Sequence, residues 1–158
     1  MPGRTPAAET LTDLVLMLFR LNNTTLVWGD RLVRPFGLTS ARWQIMGAIA
    51  YADRPQPVAW LARDLGANRQ NVQRIVNELS SEGLVAFAAN PHHKRAQLVV
   101  LTTEGRAAYD AALGVWDVAA AELAEGFSPE ALTTSLQVLR TLRDKLTSAK
   151  TGCHDAET

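Results

Sequence analysis

The sequence predicts a mainly α-helical protein that carries one small β-hairpin. Three observations support this fold class. Apolar residues recur at helical spacing over most of the chain, two short helical segments meet at a glycine near its middle, and two strand-like runs follow directly. With 158 residues and 47% hydrophobic content, the chain can bury a core without disulfides. We therefore expect a single domain over residues 1–158.

The first segment predicts one long helix. Leucine and valine residues recur at helical spacing from about residue 8 to residue 33, with no internal proline, and Pro35 and Gly37 end the pattern. Over residues 14–19 the apolar side chains surround the helix, which is typical of a helix packed between two bodies. The longest apolar run is too short for a membrane span, and no membrane partner is expected.

The middle of the chain predicts a helix-turn-helix. Thr39 is a suitable N-cap for a helix that ends near Tyr51, and prolines predict a turn over residues 53–57. A short helix at 59–65 then stops at a glycine, and a second one runs over 68–82 with its apolar residues on one stripe. Two short helices joined by a tight glycine turn form a helix-turn-helix.

A β-hairpin follows the second of these helices. Residues 84–89 and 96–101 are strand-like, and the polar, basic loop 90–95 between them opens with Asn-Pro, a turn signal. A hairpin directly after the second helix of a helix-turn-helix is a wing. The sequence therefore predicts a winged helix-turn-helix lobe over residues 39–102.

The last part of the chain predicts two further helices. Thr102 caps an alanine-rich helix that reaches about Glu125, and Ser128-Pro129 opens a final helix with a leucine seam. Together with residues 8–35, residues 103–148 are expected to form a helical dimerisation region. Residues 149–158 are polar, contain the single cysteine, and predict a flexible tail without a disulfide.

The charge is uneven along the chain although its net value is zero. Residues 54–106 hold seven basic and four acidic side chains, which gives +3, and the remainder is −3. Such a basic lobe favours a nucleic-acid partner. The neutral total leaves an alternative open, in which the winged helix is a protein-interaction module without specific DNA binding.

The helix at 68–82 has the surface that a DNA major groove requires. Once its apolar stripe is buried, the outward side chains are amides and guanidinium groups, and no acid precedes Glu78. Amides suit bidentate hydrogen bonds to adenine, and guanidinium groups suit guanine. The alternative is a solvated face that happens to lack acids. The candidate DNA-binding residues are Asn68, Arg69, Gln70, Asn71, Gln73, Arg74 and Asn77 on this helix and His93, Lys94 and Arg95 in the wing.

With these motifs the chain resembles the MarR family of bacterial transcription regulators over nearly its whole length. That family has Leu-Thr and then an aromatic residue in its second helix. Its wing reads Asp-Pro-x-Asp-[Arg/Lys]-Arg and leads, some five residues later, to Leu-Thr-x-x-Gly. The matching residues here are Leu38-Thr39 with Trp43, Asn90 to Arg95, and Leu101 to Gly105.

Two wing residues depart from the family pattern. Asn90 and His93 stand where the family has aspartates, which makes the wing more basic and removes an ionic brace at its base. Asn90 is still expected to shape the turn by accepting a backbone hydrogen bond. The resemblance also implies that an arginine at position 74 can brace the wing.

The resemblance implies a homodimer that binds a pseudo-palindromic operator in double-stranded DNA. It further implies a repressor that is released by a small aromatic or phenolic effector. Trp28, Arg42, Trp43 and Trp60 are the candidate effector-binding residues, with core packing as the alternative for Trp28 and Trp43.

Other function classes find little support in the sequence. It contains no Gly-rich phosphate loop and no nucleophile elbow, so we expect no enzyme, no catalytic residues and no cofactor. His92-His93 and a distant Cys153-His154 do not have metal-ligand spacing, so no metal site is expected. The N-terminal residues lack the pattern of a secretory signal, which predicts a cytoplasmic protein.

Overall fold

A computed structural model describes residues 5–152 of the chain. Within that range the chain forms six α-helices, a short 3₁₀ segment and a three-stranded antiparallel sheet, which confirms the predicted fold class. The helices are α1 (Pro6–Val33), α2 (Ser40–Tyr51), α3 (Val58–Asp64), α4 (Arg69–Ser81), α5 (Thr103–Ala124) and α6 (Pro129–Gly152), and the strands are β1 (Gln56–Pro57), β2 (Val85–Ala88) and β3 (Leu98–Leu101).

Hydroxyl caps begin the helices where the sequence predicted them. The Thr39 side chain accepts a hydrogen bond from the backbone N of Arg42 at 3.3 Å. The Thr102 Oγ1 accepts one from the N of Gly105 at 2.9 Å. The Ser128 hydroxyl does the same for α6. Each cap satisfies an N–H that has no partner inside its helix, so these threonine and serine residues fix where the helices start.

Strand β1 was not predicted. The sequence indicated only a turn over residues 53–57, but Gln56 and Pro57 pair with Val99 and Leu98 of β3. The sheet order is β1-β3-β2, so β1 is an edge strand. An edge position tolerates proline, because its missing N–H is not needed by a second neighbour.

The core lies between the end of α1, helices α2 to α4, the sheet and the start of α5. At its centre Met46, Val76 and Leu79 are fully buried. Gly105 is buried where α5 starts, and a Cβ there would collide with the backbone carbonyl of Leu84. This close approach sets α5 directly against the junction between α4 and the sheet.

The chain divides into two compact units. The first ends at Val118 and holds α1 to α4, the sheet and most of α5, while the second begins at Ala119. Helix α6 extends to Gly152, four residues into the range predicted as a tail, and Cys153 lies outside the described residues. The division into a winged lobe and a dimerisation region therefore stays a prediction. In the range 5–152, no helix has the length and apolar character needed to cross a membrane.

Candidate nucleic-acid interface

Helix α4 is held by an asparagine cap and a buried apolar stripe. The Asn68 Oδ1 accepts hydrogen bonds from the backbone N of Gln70 at 2.8 Å and of Asn71 at 3.2 Å. Because its oxygen is used in this way, only the amide NH₂ of Asn68 is left to donate elsewhere. On the opposite side, the core takes up Val72, Ile75, Val76 and Leu79, as the sequence predicted.

The remaining candidate residues of α4 form a polar outer surface. Arg69, Gln70, Asn71, Arg74 and Asn77 are exposed. Gln73 is half-buried and donates from Nε2 to Asn77 Oδ1 at 2.9 Å. One amide therefore orients the other, which leaves both with groups that can still pair with a base edge.

Arg74 differs from the other basic candidates because acidic and amide partners hold it. Its guanidinium pairs with Glu78 at 2.5 Å and donates to Asn71 Oδ1 at 2.9 Å. Both partners lie on α4, so the expectation that Arg74 braces the wing is not met. Part of its charge is already neutralised by Glu78.

Glu78 also belongs to a connection between α2 and α4 that the sequence did not reveal. Arg42 donates two hydrogen bonds to Glu82, at 2.8 and 2.6 Å, and lies 3.5 Å from Glu78. The hydrogen bond to Glu82 is the main cause that raises the pKa of Arg42 above its usual value. A bidentate pair of this kind is well suited to hold α4 in a fixed orientation on α2.

Asn90 holds the wing loop closed. Its Nδ2 donates to the carbonyl of Ala96 at 2.8 Å, and its Oδ1 accepts from the backbone N of His92 at 3.0 Å. The expectation that Asn90 shapes this turn by accepting a backbone bond is confirmed. An uncharged residue thus braces the wing, and Lys94 and Arg95 are exposed beyond it.

A cleft of about 260 Å³ lies between α4 and the wing. It brings together Arg69, Gln73 and Asn77 from α4 with Arg95 from the wing, which lie far apart in the sequence. None of the residues that line it is acidic. Gln70, Asn71, Arg74, His93 and Lys94 are not among its lining residues.

The basic side chains around this cleft are available for an external anion. Within residues 5–152, Arg69 and Arg95, which line the cleft, form no ion pair with Asp or Glu, and neither does Lys94, which precedes Arg95 in the wing loop. Without a carboxylate partner, their charge is not neutralised inside the protein. The cleft therefore combines uncompensated cations with hydrogen-bonding amides, the chemistry that reads phosphates and base edges.

The four candidate effector residues do not form one site. Trp28 and Trp43 each make an edge-to-face contact with Trp116, at centroid distances of 6.0 and 5.8 Å. Sequence reasoning did not single out Trp116. The Trp43 Nε1 is buried in this cluster and, in the part of the chain that the structure describes, has no hydrogen-bond partner.

The other two candidates lie outside this tryptophan cluster. Glu82 binds the guanidinium of Arg42. Trp60 is 57% exposed, and the guanidinium carbon of Arg63 lies 5.7 Å from its ring centroid. Over the described residues, no three or more His, Cys, Asp or Glu side chains come together as a metal site.

Comparison with known proteins agrees with these features. The family model described as MarR family matches residues 36–96, from the end of the 3₁₀ segment (Arg34–Phe36) to the wing. An uncharacterised protein of Mycobacterium tuberculosis is 34% identical over 133 residues, which cover 84% of this chain and 92% of that protein. The chain belongs to the MarR family of transcription regulators.

Two further proteins resemble this MarR-family chain. The transcriptional activatory protein BadR of Rhodopseudomonas palustris is 28% identical over 151 residues, covering 87% of this chain and 81% of BadR. The crystal structure of CouR from Rhodococcus jostii RHA1, bound to p-coumaroyl-CoA, superimposes with a TM-score of 0.67 at 24% identity. That match covers 87% of this chain and 91% of CouR. The CouR likeness supports the fold.

Proposed function

We propose that this MarR-family regulator binds double-stranded DNA in a sequence-specific manner. The observation that carries the proposal is the acid-free cleft between α4 and the wing, lined by Arg69, Gln73, Asn77 and Arg95. In this proposal α4 enters the major groove, and the wing reaches the adjacent phosphates or minor groove. The amides read bases, and the cations supply affinity.

The number of uncompensated cations gives the proposal a measurable consequence. Arg69, Lys94 and Arg95 supply three phosphate contacts per protomer, and a dimer would supply twice as many. Each neutralised phosphate contributes about −0.9 to the slope of log affinity against log salt. Binding by a dimer should therefore show a slope of about −5. This local charge also explains how a chain of zero net charge binds DNA.

We further propose that the protein acts as a homodimer on a pseudo-palindromic operator. Helix α1 exposes large apolar side chains, including Leu16 at 51%, Met17 at 56% and Phe19 at 66%. In α6, Leu136 and Leu146 are 47% and 59% exposed. Apolar residues on these helices are suited to a subunit interface.

We also propose that the bound protein represses transcription, and that a small aromatic effector relieves this repression. The buried, unpaired N–H of Trp43 beside Trp28 and Trp116 offers one hydrogen bond to such a molecule. CouR was crystallised with p-coumaroyl-CoA, an aromatic ligand. Because BadR is an activator, reporter assays must be able to detect activation as well as repression. As a regulator of chromosomal genes, the protein would act in the cytoplasm and without an enzymatic activity.

Titration of duplex DNA at several salt concentrations tests the proposal. The probe is the DNA that flanks the protein's own coding region, and an unrelated duplex of equal length is the control. We expect tighter binding to the first probe, and affinity that falls steeply from about 50 to 200 mM salt. Equal affinity for both duplexes, or affinity that ignores salt, would favour a protein-interaction module instead.

A further inference from the structure

The outer face of α4 carries two stripes of polar side chains. The stripe beside the wing lines the cleft and contains no acid. The other stripe lies on the side of α2, and its members are spaced three and four positions apart, which makes them neighbours on the helix surface. They are Asn71, Arg74 and Glu78, and we call them the α2-side stripe. Because this stripe contains both a cation and an anion, its side chains hold one another.

The α2-side stripe forms a chain of hydrogen bonds. Arg74 donates from Nη1 to the Glu78 carboxylate at 2.5 Å and from Nη2 to Asn71 Oδ1 at 2.9 Å. Glu78 is anchored in turn, because its second oxygen lies 3.5 Å from Arg42 of α2. The Arg42 side chain is only 18% exposed and is fixed by its bidentate pair with Glu82. The orientation of Asn71 therefore depends on contacts that begin at the junction of α2 and α4.

The contact with Arg74 determines which end of the Asn71 side chain is engaged. A guanidinium group has donors and no acceptor, so the atom of Asn71 that faces it must be the carboxamide oxygen. Within residues 5–152, the Asn71 NH₂ group makes no hydrogen bond, and the residue is exposed. Asn71 therefore presents N–H donors to a partner while its acceptor is already in use.

The amides of the other stripe are not constrained in this way. Gln73 and Asn77 bond to each other at 2.9 Å. Each carboxamide has both a donor and an acceptor, so the same pair can form with the two roles exchanged. These side chains remain suited to adenine, whose major-groove edge presents one acceptor and one donor.

Guanine is the base that matches a surface of donors. Its major-groove edge presents two acceptors, N7 and O6, whereas adenine presents the N7 acceptor beside an N6 donor. That N6 donor would meet Arg74 and an oxygen that is already engaged. Cytosine presents only a donor, and thymine a single O4 acceptor beside a methyl group. The Asn71 NH₂ group and the remaining N–H groups of Arg74 therefore pair best with guanine.

We propose that Asn71 is a specificity-determining residue that reads a guanine in the major groove, and that Arg74 and Glu78 are the positioning residues that make it do so. The inference rests on the proposed DNA-binding function and deepens it by naming a base that α4 selects. Without the contact to Arg74, Asn71 regains its acceptor and becomes an ordinary carboxamide, which pairs with adenine. The positioning residues therefore set the base preference and not only the affinity.

The first test uses the full chain without DNA. The side-chain NH₂ signals of Asn71 in a ¹H–¹⁵N spectrum are identified by their loss in Asn71→Ala. Glu78→Gln should shift them, because Arg74 then loses its charged partner and holds Asn71 less firmly. Glu104→Gln is the matched control, since Glu104 is exposed on α5 and forms no ion pair within residues 5–152. Equal shifts in both variants, or no shift in either, would overturn the positioning role.

Selection from a randomised duplex library tests the base preference. Wild type should select guanine at one position in each half-site, and Asn71→Ala should abolish that preference. Arg74→Met removes the donor that engages Asn71, and should change the preference at this position from guanine to adenine by about tenfold. Asn71→Asp can only accept, and should change it to cytosine. If Arg74→Met merely loses the preference while Asn71→Ala keeps it, then Arg74 reads the guanine itself and the proposal is overturned.

Replacement of the selected guanine by 7-deazaguanine tests the contact at a single atom. The analogue lacks the N7 acceptor, so it should weaken binding of wild type about fivefold per half-site. It should leave binding of Asn71→Ala unchanged, because that variant has already lost the donor. Equal losses for the two proteins would contradict a direct contact between Asn71 and the base.

The outcomes separate this inference from the proposed function. If the wild-type pool converges but no guanine position responds to Asn71→Ala, the inference is wrong, while sequence-specific binding stands. If folded wild type selects no sequence, the proposed DNA-binding function fails and the inference falls with it. Urea unfolding of each variant is the control that a changed preference does not come from loss of the fold.

Discussion

Replacement of Arg95 by alanine should weaken binding to every duplex sequence by a similar factor. Arg95 extends from the wing into the cleft beside α4, and no carboxylate of the described residues neutralises it. A hydrogen bond to a charged group contributes about 1.5 kcal/mol or more, so loss of two per dimer costs about 3 kcal/mol. That corresponds to roughly 100-fold weaker binding. The salt slope should become shallower by about 1.8.

Fluorescence anisotropy with a labelled duplex measures both quantities when it is repeated over a range of salt. Arg106→Ala is the matched control, because Arg106 lies on α5, pairs with Asp110 at 3.9 Å and does not line the cleft. The control removes the same formal charge and should leave the slope unchanged. If both variants show the same loss of affinity and the same change in salt slope, then only net charge matters. That result would refute the assignment of Arg95 as a DNA contact in the wing.

Three further predictions concern the recognition helix, the fold and the wing. Gln73→Ala should reduce discrimination at one base position by about 1–3 kcal/mol in competition binding, without a change in fold; unchanged discrimination would remove Gln73 from the interface. Gly105→Ala should lower the free energy of unfolding in urea by about 3 kcal/mol, because the added methyl group collides with the Leu84 carbonyl. The control is Gly114→Ala, whose methyl group meets no atom within 4 Å and should leave stability unchanged. Asn90→Ala should lose two hydrogen bonds and speed amide exchange in the wing without a change at α4; uniform protection would show that another group braces the loop.

Local signals were sufficient to predict most of the helices. Thr39, Thr102 and Ser128 cap helices where the sequence indicated, because a cap depends on residues only three positions apart. The buried stripe of α4 was also correct, since its spacing alone defines one face. The acid-free outer face of α4 follows from the same periodicity. The residues of the candidate DNA surface could therefore be predicted from the sequence pattern alone.

Features that depend on distant residues were missed. Strand β1 has only two residues, and its pairing with β3 spans some forty positions, so no periodicity reveals it. The same holds for Arg42 with Glu82 and for Trp116 with two other tryptophans. These contacts had their largest effect on the set of candidate effector-binding residues. They removed Arg42 as a free cation and separated Trp60 from the tryptophan cluster.

Selection of bound sequences from a randomised duplex library tests the central claim most directly. If α4 reads bases and the protein binds as a dimer, the selected pool should converge on one site with two-fold symmetric half-sites about one helical turn apart. The same selection with Gln73→Ala should retain the half-site spacing and lose preference at one position in each half. A pool that stays random after repeated rounds, with wild-type protein that is folded, would contradict sequence-specific DNA binding.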